Sequence, residues 1–301
     1  MEAVSERPRR ATGLLGYVLV AAAATSWGAQ SVVAKLLLTS GSGLPPAPLV
    51  STRTALATLL VLAAIGWLRP GLLVVSGRDL GRIAVLGVAM AASQYTYYFA
   101  LTRLPVATVL LVIYTAPLLV LAASLTLYGE RPRRHDVAAA TLALAGAAFV
   151  IRVYEPAALV VNAAGLAASA FCSVTFAIYN LWAKTVPPVV APWTVLTYSL
   201  ATAAVLWLPV APPWALLLTP HPPAFWLGLG VVVLFGTLVP FSLYLAGLAR
   251  ISAAHASVTS TLEPAVAAAV AFAVLGESLA WPQLAGGALV LAGIGLLHLR
   301  A

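Results

Sequence analysis

The sequence predicts an all-α integral membrane protein of ten transmembrane helices, arranged as two five-helix repeats inserted in opposite directions. Three observations predict it. Of the 301 residues, 62% are hydrophobic and 8% charged, where a soluble domain carries roughly a quarter charged residues. Such a chain cannot cover a globule with polar surface, so its solvent is lipid. Apolar runs of spanning length recur from end to end with short connections. The first half also shares a long motif with the second in a single register.

The first run follows Arg7, Arg9 and Arg10 and contains "AAAA", which together resemble a signal peptide. Its apolar character continues over residues 14–38, long enough for a bilayer core of about 30 Å at about 1.5 Å per residue. It therefore reads as a retained first helix. The remaining spans are 48–68, 80–101, 106–128, 136–153, 161–184, 192–210, 224–248, 253–275 and 281–299, separated by Pro, Gly, Arg and Asp. These runs are too long for barrel strands, which need about 9–11 residues of alternating polarity. The predicted organisation is a tail over 1–13, one repeat over 14–153 and a second over 161–299.

Loop charge predicts orientation. With the N-terminus inside, the inner side holds Arg7, Arg9, Arg10, Arg69, Arg78, Arg82, Arg131, Arg133, Arg134, Lys184, Arg250 and Arg300. The outer side holds Lys35, Arg103 and Arg152. That bias predicts cytoplasmic termini in an inner (plasma) membrane. It also explains the net charge of +8 without a nucleic-acid partner, since the cations are scattered among loops. A single cysteine, Cys172, excludes a disulfide framework and reads as a packed residue.

"YYFALTRLPVATVLLVIYTAPLLVLAASLTLYGE" ends at Glu130, and "LYLAGLARISAAHASVTSTLEPAVAAAVAFAVLGE" ends at Glu277, an offset of 277 − 130 = 147. The same offset pairs Tyr97 with Tyr244, Arg103 with Arg250, Pro117 with Pro264 and Gly146 with Gly293. Ala34-Lys35 matches Ala183-Lys184, and Leu56-Ala57-Thr58 matches Leu200-Ala201-Thr202. Spans 1–5 thus correspond to spans 6–10. Five is odd, so the halves cross the membrane in opposite senses. Inverted repeats of this kind point to alternating access around a midplane site.

"LEPAVAAAVAFAVLGE" resembles the ninth helix of EamA-type transporters of the drug/metabolite transporter superfamily. The stretch from Tyr97 to Arg131 resembles their helices 3 and 4, and "SWGAQSVVAK" and "STRTALATLLVL" resemble helices 1 and 2. The resemblance runs from about residue 14 to residue 299 as two tandem EamA units. It implies a central cavity enclosed by helices 1, 3, 4, 6, 8 and 9, with helices 5 and 10 at the rim. It also implies export of amino acids, related metabolites or drugs, commonly by exchange with protons or along a gradient.

Polar and aromatic side chains inside such spans are costly against acyl chains and should face inward. The candidates for the cavity are Trp27, Gln30, Gln94, Tyr95, Tyr98, Tyr114, Tyr179, Asn180, Tyr244, Thr259 and Glu263. Glu263 lies some 13 Å into span 9, near mid-membrane, and is followed by a proline that should kink the helix. It and His255 are the candidates for coupling to protons; structural pairing fits Glu263 equally. Pro117, Pro264, Glu130, Glu277 and Arg53 read as structural, Arg53 by snorkelling outward or pairing with a carbonyl. No metal site and no cofactor are expected. Neither a His-Glu-x-x-His helix nor a phosphate-cradling Gly-rich loop occurs, so an enzyme or ATP-driven motor is not expected. The reading is a secondary transporter of small molecules. An uncoupled facilitative pathway in the same fold, or a membrane scaffold or sensor, is the alternative; oligomeric state is left open.

Overall fold

Helices begin where the sequence supplies a proline or a side-chain cap. The computed structural model describes residues 6–39, 44–104, 106–128, 133–155, 162–275 and 280–299, and all regular structure among them is helical. Helix α1 covers Glu6–Thr39, α2 Pro46–Leu68, α3 Gly77–Leu101, α4 Val106–Ile113, α5 Ala116–Tyr128, α6 Arg134–Val150 and α7 Ala163–Ala183. Then follow α8 over Pro192–Trp207, α9 Pro213–Leu217, α10 Pro223–Val233, α11 Val239–Leu248, α12 Ala253–Ser260, α13 Leu262–Leu275 and α14 Trp281–Leu299. Proline occupies the first turn of α2, α8 and α10, where its missing N–H has no helical role. Elsewhere Ser76 accepts from the Asp79 N–H at 3.1 Å, Asn162 from Gly165 at 2.9 Å and Ser252 from His255 at 3.1 Å. The Ser76 hydroxyl also donates to the Asp79 carboxylate and, with Arg82 2.9 Å away, holds that carboxyl below its ordinary value.

These helices lie along the ten expected spans. Span 4 is α4 followed by α5, span 8 is α10, a π turn over Leu234–Leu238 and α11, and span 9 is α12 followed by α13. The stretches 13–38, 46–68, 108–126, 163–183 and 223–248 have both the length and the hydropathy to cross a membrane. Two short elements go unannounced in the sequence: α9, and a 3₁₀ turn at Pro70–Leu73. Thr194 and Tyr198 on α8 hold that 3₁₀ turn by donating to the carbonyls of Leu72 and Leu73 at 2.7 and 2.6 Å. Glu130 and Glu277, expected to terminate spans 4 and 9, lie outside the described residues.

The two halves interlock. Helix α1 packs along α11, α12 and α13 of the second half, and α7 packs along α3, α4 and α5 of the first. Spans 1, 3 and 4 correspond to spans 6, 8 and 9, so the molecule makes one interface twice. The glycines record this residue by residue. A Cβ on Gly16 would sit 2.7 Å from Ile251 and 3.0 Å from Arg250; one on Gly165 would sit 2.7 Å from Leu104 and 3.2 Å from Arg103. A Cβ on Gly146 would meet the Gly286 carbonyl at 2.6 Å and Val290 N at 2.7 Å; one on Gly293 would meet the Ala139 carbonyl at 2.8 Å and Ala143 N at 3.1 Å. Gly146 and Gly293, Ala139 and Gly286, and Ala143 and Val290 all stand 147 apart, so each contact is returned by its repeat counterpart. That reciprocity is the mark of a two-fold interface. In lipid, helices gain nothing from hiding apolar surface, and close backbone approach at small residues supplies the packing energy instead.

The α6–α14 contact is accordingly intolerant of bulk. Gly286→Leu, whose Cβ would fall 2.6 Å from the Gly146 carbonyl, is expected to cost about 1–3 kcal/mol through overpacking, read as a lower melting temperature in detergent. Gly295→Ala, with nothing within 4 Å of its Cβ, is expected to leave that temperature unchanged or raise it.

Candidate functional site

Proline creates the site. Pro264 has no N–H, so the Ser260 carbonyl receives no helical partner and the ring crowds it. Span 9 breaks three residues earlier, at Thr261, and α13 starts afresh at Leu262. Side chains take up the polar groups around the break. Thr259 donates to the His255 carbonyl, Ser260 to Ser257 and Thr261 to Val258, each at 2.7 Å. Span 4 repeats the device ahead of Pro117: it breaks at Tyr114-Thr115, and Thr115 donates to the Val112 carbonyl at 2.7 Å. Two half-helices, α5 and α13, therefore begin in the middle of the bundle. Glu263 stands in the first turn of α13, where unpaired N–H groups and the helix dipole favour a negative charge. Gly28 lets α1 approach this point, since a Cβ there would lie 2.6 Å from the Glu263 carbonyl.

Span 8 is distorted for a related reason. Pro240 cannot donate to the Gly236 carbonyl, and the helix widens just ahead of it into the π turn, with Val239 N–H reaching the Leu234 carbonyl. The Phe235 carbonyl accepts instead from Ser26 on α1 at 2.7 Å. Gly236 admits Gln30, whose Oε1 would lie 2.7 Å from a Cβ there. Phe241, one turn on, meets Trp27 edge-on at 5.1 Å.

Between these breaks lies a cavity of about 120 Å³. Trp27, Gln30, Gln94, Tyr98, Tyr114 and Glu263 line it. Arg53, Cys172, Phe176 and Phe241 line it as well. Arg53 does not snorkel. It is 3% exposed, donates from Nη1 to the Tyr98 hydroxyl at 2.7 Å and lies 4.9 Å over the Tyr98 ring. Its signal in the sequence was a cation one turn inside an apolar span. Cys172 and Phe241 carry no such signal, because apolar residues occupy lipid, core and cavity positions alike.

The other candidates stand behind the wall. Tyr244 donates to the Asn180 amide oxygen and packs 5.4 Å from Trp27, and Tyr179 sits edge-on to Phe241 at 6.2 Å. Tyr95 stacks toward Trp207 at 5.2 Å, and Thr259 is spent on the His255 carbonyl. His255 is remote from the cavity. Its Nδ1 pairs with the Tyr17 hydroxyl and its Nε2 with Asp136 at 3.2 Å, joining spans 1, 9 and 5 at the end that carries the start of α1. At that same end Lys184 donates to the carbonyls of Leu248 and Ile251, satisfying the C-terminal turn of α11. Gly16 and Gly247 let α1 and α11 touch there, so this end is closely packed.

Residues 14–152 and 163–299 each match the model of the EamA-like transporter family. The chain belongs to that family. It is 28% identical over 279 residues to the threonine/homoserine exporter RhtA of Escherichia coli strain K12, covering 92% of this chain and 89% of that protein. It is 30% identical to a probable terminal-alkyne amino-acid exporter of Streptantibioticus cattleyicolor, over 83% of each chain. An uncharacterized transporter of Archaeoglobus fulgidus is 29% identical over 72% of this chain and 77% of that one. A solved crystal structure superposes with a TM-score of 0.77 at 22% identity over 97% of both chains, which shows a shared fold. The protein is thus a multi-pass membrane protein of a transporter family, and its named relatives are transporters rather than enzymes.

The single thiol reports on closure of the packed end. Cys172 is 3% exposed on the cavity wall. Asp136→Ala removes the hydrogen bond from span 5 to His255, and His255→Phe removes the bonds to both Asp136 and Tyr17, each worth about 1 kcal/mol. Both variants are expected to speed labelling of Cys172 by a small maleimide applied to the side of the membrane that bears the N-terminus. Unchanged rates in both would mean that other contacts hold that end.

Proposed function

We propose that the protein is a secondary transporter that exports amino acids or closely related small metabolites by alternating access. The observation that carries this reading is the cavity between two inverted halves, with Arg53 and Glu263 both on its wall. A charge inside a membrane helix costs up to about 2.5–3.5 kcal/mol on insertion scales, so the buried Arg53 and the mid-span Glu263 favour a function. The small cavity volume and the names of two relatives favour amino-acid-sized solutes. Loop charge favours an inner membrane with both termini cytoplasmic; the packed end is then the cytoplasmic gate. The repeat boundaries near 14–153 and 161–299 define the two inverted units whose mutual contacts would open one end and then the other. Glu263 is the group proposed to carry a coupling proton, because it is a carboxyl group on the cavity wall that is held by Tyr114 and sits in no ion pair among the described residues.

Purified protein in proteoliposomes loaded with labelled threonine or homoserine tests this. Flux is expected, and an imposed pH gradient should accelerate it. Glu263→Gln should bring gradient-driven flux close to background without lowering the melting temperature. Gradient-independent flux in the wild type would mark a facilitative pathway. A melting-temperature loss in the variant, with unchanged pH dependence of flux, would make Glu263 a structural carboxylate.

A further inference from the structure

Arg53 is the group whose surroundings are incomplete. A guanidinium carries five N–H donors; Nη1 serves Tyr98, while Nε is buried with no partner. Among the described residues no ion pair includes Arg53 or Glu263, although both line one cavity. Two buried opposite charges on one cavity would lower their desolvation cost by pairing with each other. They are instead held apart. Arg53 is anchored by Tyr98 on α3, and Glu263, in the first turn of α13, is held by Tyr114.

A second feature sits on the Arg53 side. Gln94 lies one turn from Tyr98 on α3 and is 6% exposed. One end of its amide bonds to Thr54, the neighbour of Arg53, at 3.3 Å, and the other end has no partner. Tyr98 and Thr54 thus fix the orientation of two groups that each keep unused hydrogen-bonding capacity at the cavity wall. The same wall carries Trp27, Tyr114, Phe176 and Phe241, with Tyr114 beside Glu263, rings that favour an organic cation.

The repeat singles out the same pair. The register that matches Pro117 to Pro264 sets Ala116 against Glu263, and the register that matches Leu56 to Leu200 sets Thr197 against Arg53. Each half contributes one charge that its counterpart lacks. Architecture demanded by the inverted fold should occur in both halves, as the prolines do. A ligand that spans both halves has no such symmetry to respect.

We propose that Arg53, with Gln94, is the receptor for the substrate carboxylate, and that Glu263 faces the substrate ammonium, so that the cavity selects zwitterionic α-amino acids. A pure anion would leave Glu263 uncompensated, and a pure cation would leave Arg53 so. This inference names the substrate class of the transport site and rests on the transport reading above.

The test is exchange of labelled threonine in wild-type proteoliposomes, challenged by analogues that each lack one pole. Threoninamide and 1-amino-2-propanol lack the carboxylate; 2,3-dihydroxybutyrate lacks the ammonium. Each analogue is expected to compete about ten- to a hundredfold more weakly than threonine, the value of one charge-assisted contact. Arg53→Gln should weaken threonine by a similar factor without weakening inhibition by 1-amino-2-propanol, so that the gap between the two closes. Gln94→Leu, close in volume, should show a smaller effect of the same kind. Analogues that compete as well as threonine would overturn the inference even if Arg53→Gln fails to fold. So would an Arg53 variant that weakens threonine and the amine alike, which is the outcome for a structural arginine. If the wild type exchanges no amino acid at all, the transport reading fails first and the inference falls with it.

Discussion

Inside a bilayer every backbone N–H and C=O needs a partner within the protein, and Pro117 and Pro264 violate that rule at mid-depth in both halves. The rest of the site follows from how the chain meets the violation. Ser260, Thr261 and Thr115 turn their hydroxyls back onto nearby carbonyls around the breaks. The helices restart as α5 and α13, and a restarted helix presents a partly positive end to the middle of the bundle. Pro240 repeats the theme in a weaker form, widening one turn of span 8 and handing a free carbonyl to Ser26.

Close packing then turns two five-helix units into one body. Neither half builds its own core. Span 1 lies on spans 8 and 9, and span 6 lies on spans 3 and 4. Glycine at the crossing points brings backbones to a distance at which a methyl group would collide. The contacts come in reciprocal pairs, so the geometry that closes one end of the bundle has a counterpart at the other. At the closed end the Tyr17–His255–Asp136 chain and Lys184 reinforce the glycine contacts with polar ones. An inverted pair with one end reinforced is the arrangement from which alternating exposure of a central cavity can proceed.

Symmetry and function separate cleanly in the cavity. The features shared by the two halves, the prolines, the breaks and the glycine contacts, build the frame. The features found once, Arg53, Glu263 and the π turn ahead of Pro240, decorate it. Arg53 illustrates how a buried cation is tolerated: it stacks over and donates to Tyr98, keeping its charge in a site too apolar to solvate it otherwise.

The sequence by itself determined the membrane class, the ten spans, the five-plus-five repeat and the family, because each rests on composition, run length or spacing, and none of these depends on how helices rotate. It also marked Trp27, Gln30, Gln94, Tyr98, Tyr114 and Glu263, since a polar or amphipathic side chain in mid-span has few places to go but inward. It could not separate wall from second layer. Tyr179, Asn180 and Tyr244 look like Tyr98 in the sequence, yet they bond or pack behind Trp27 and Phe241. Nor could it place Arg53 inward, His255 away from the cavity, or Cys172 and Phe241 on its wall. Those positions depend on the azimuth of each helix, and the azimuth is set by proline breaks, one π turn and the glycines at which helices touch. Only the packed tertiary structure fixes those angles.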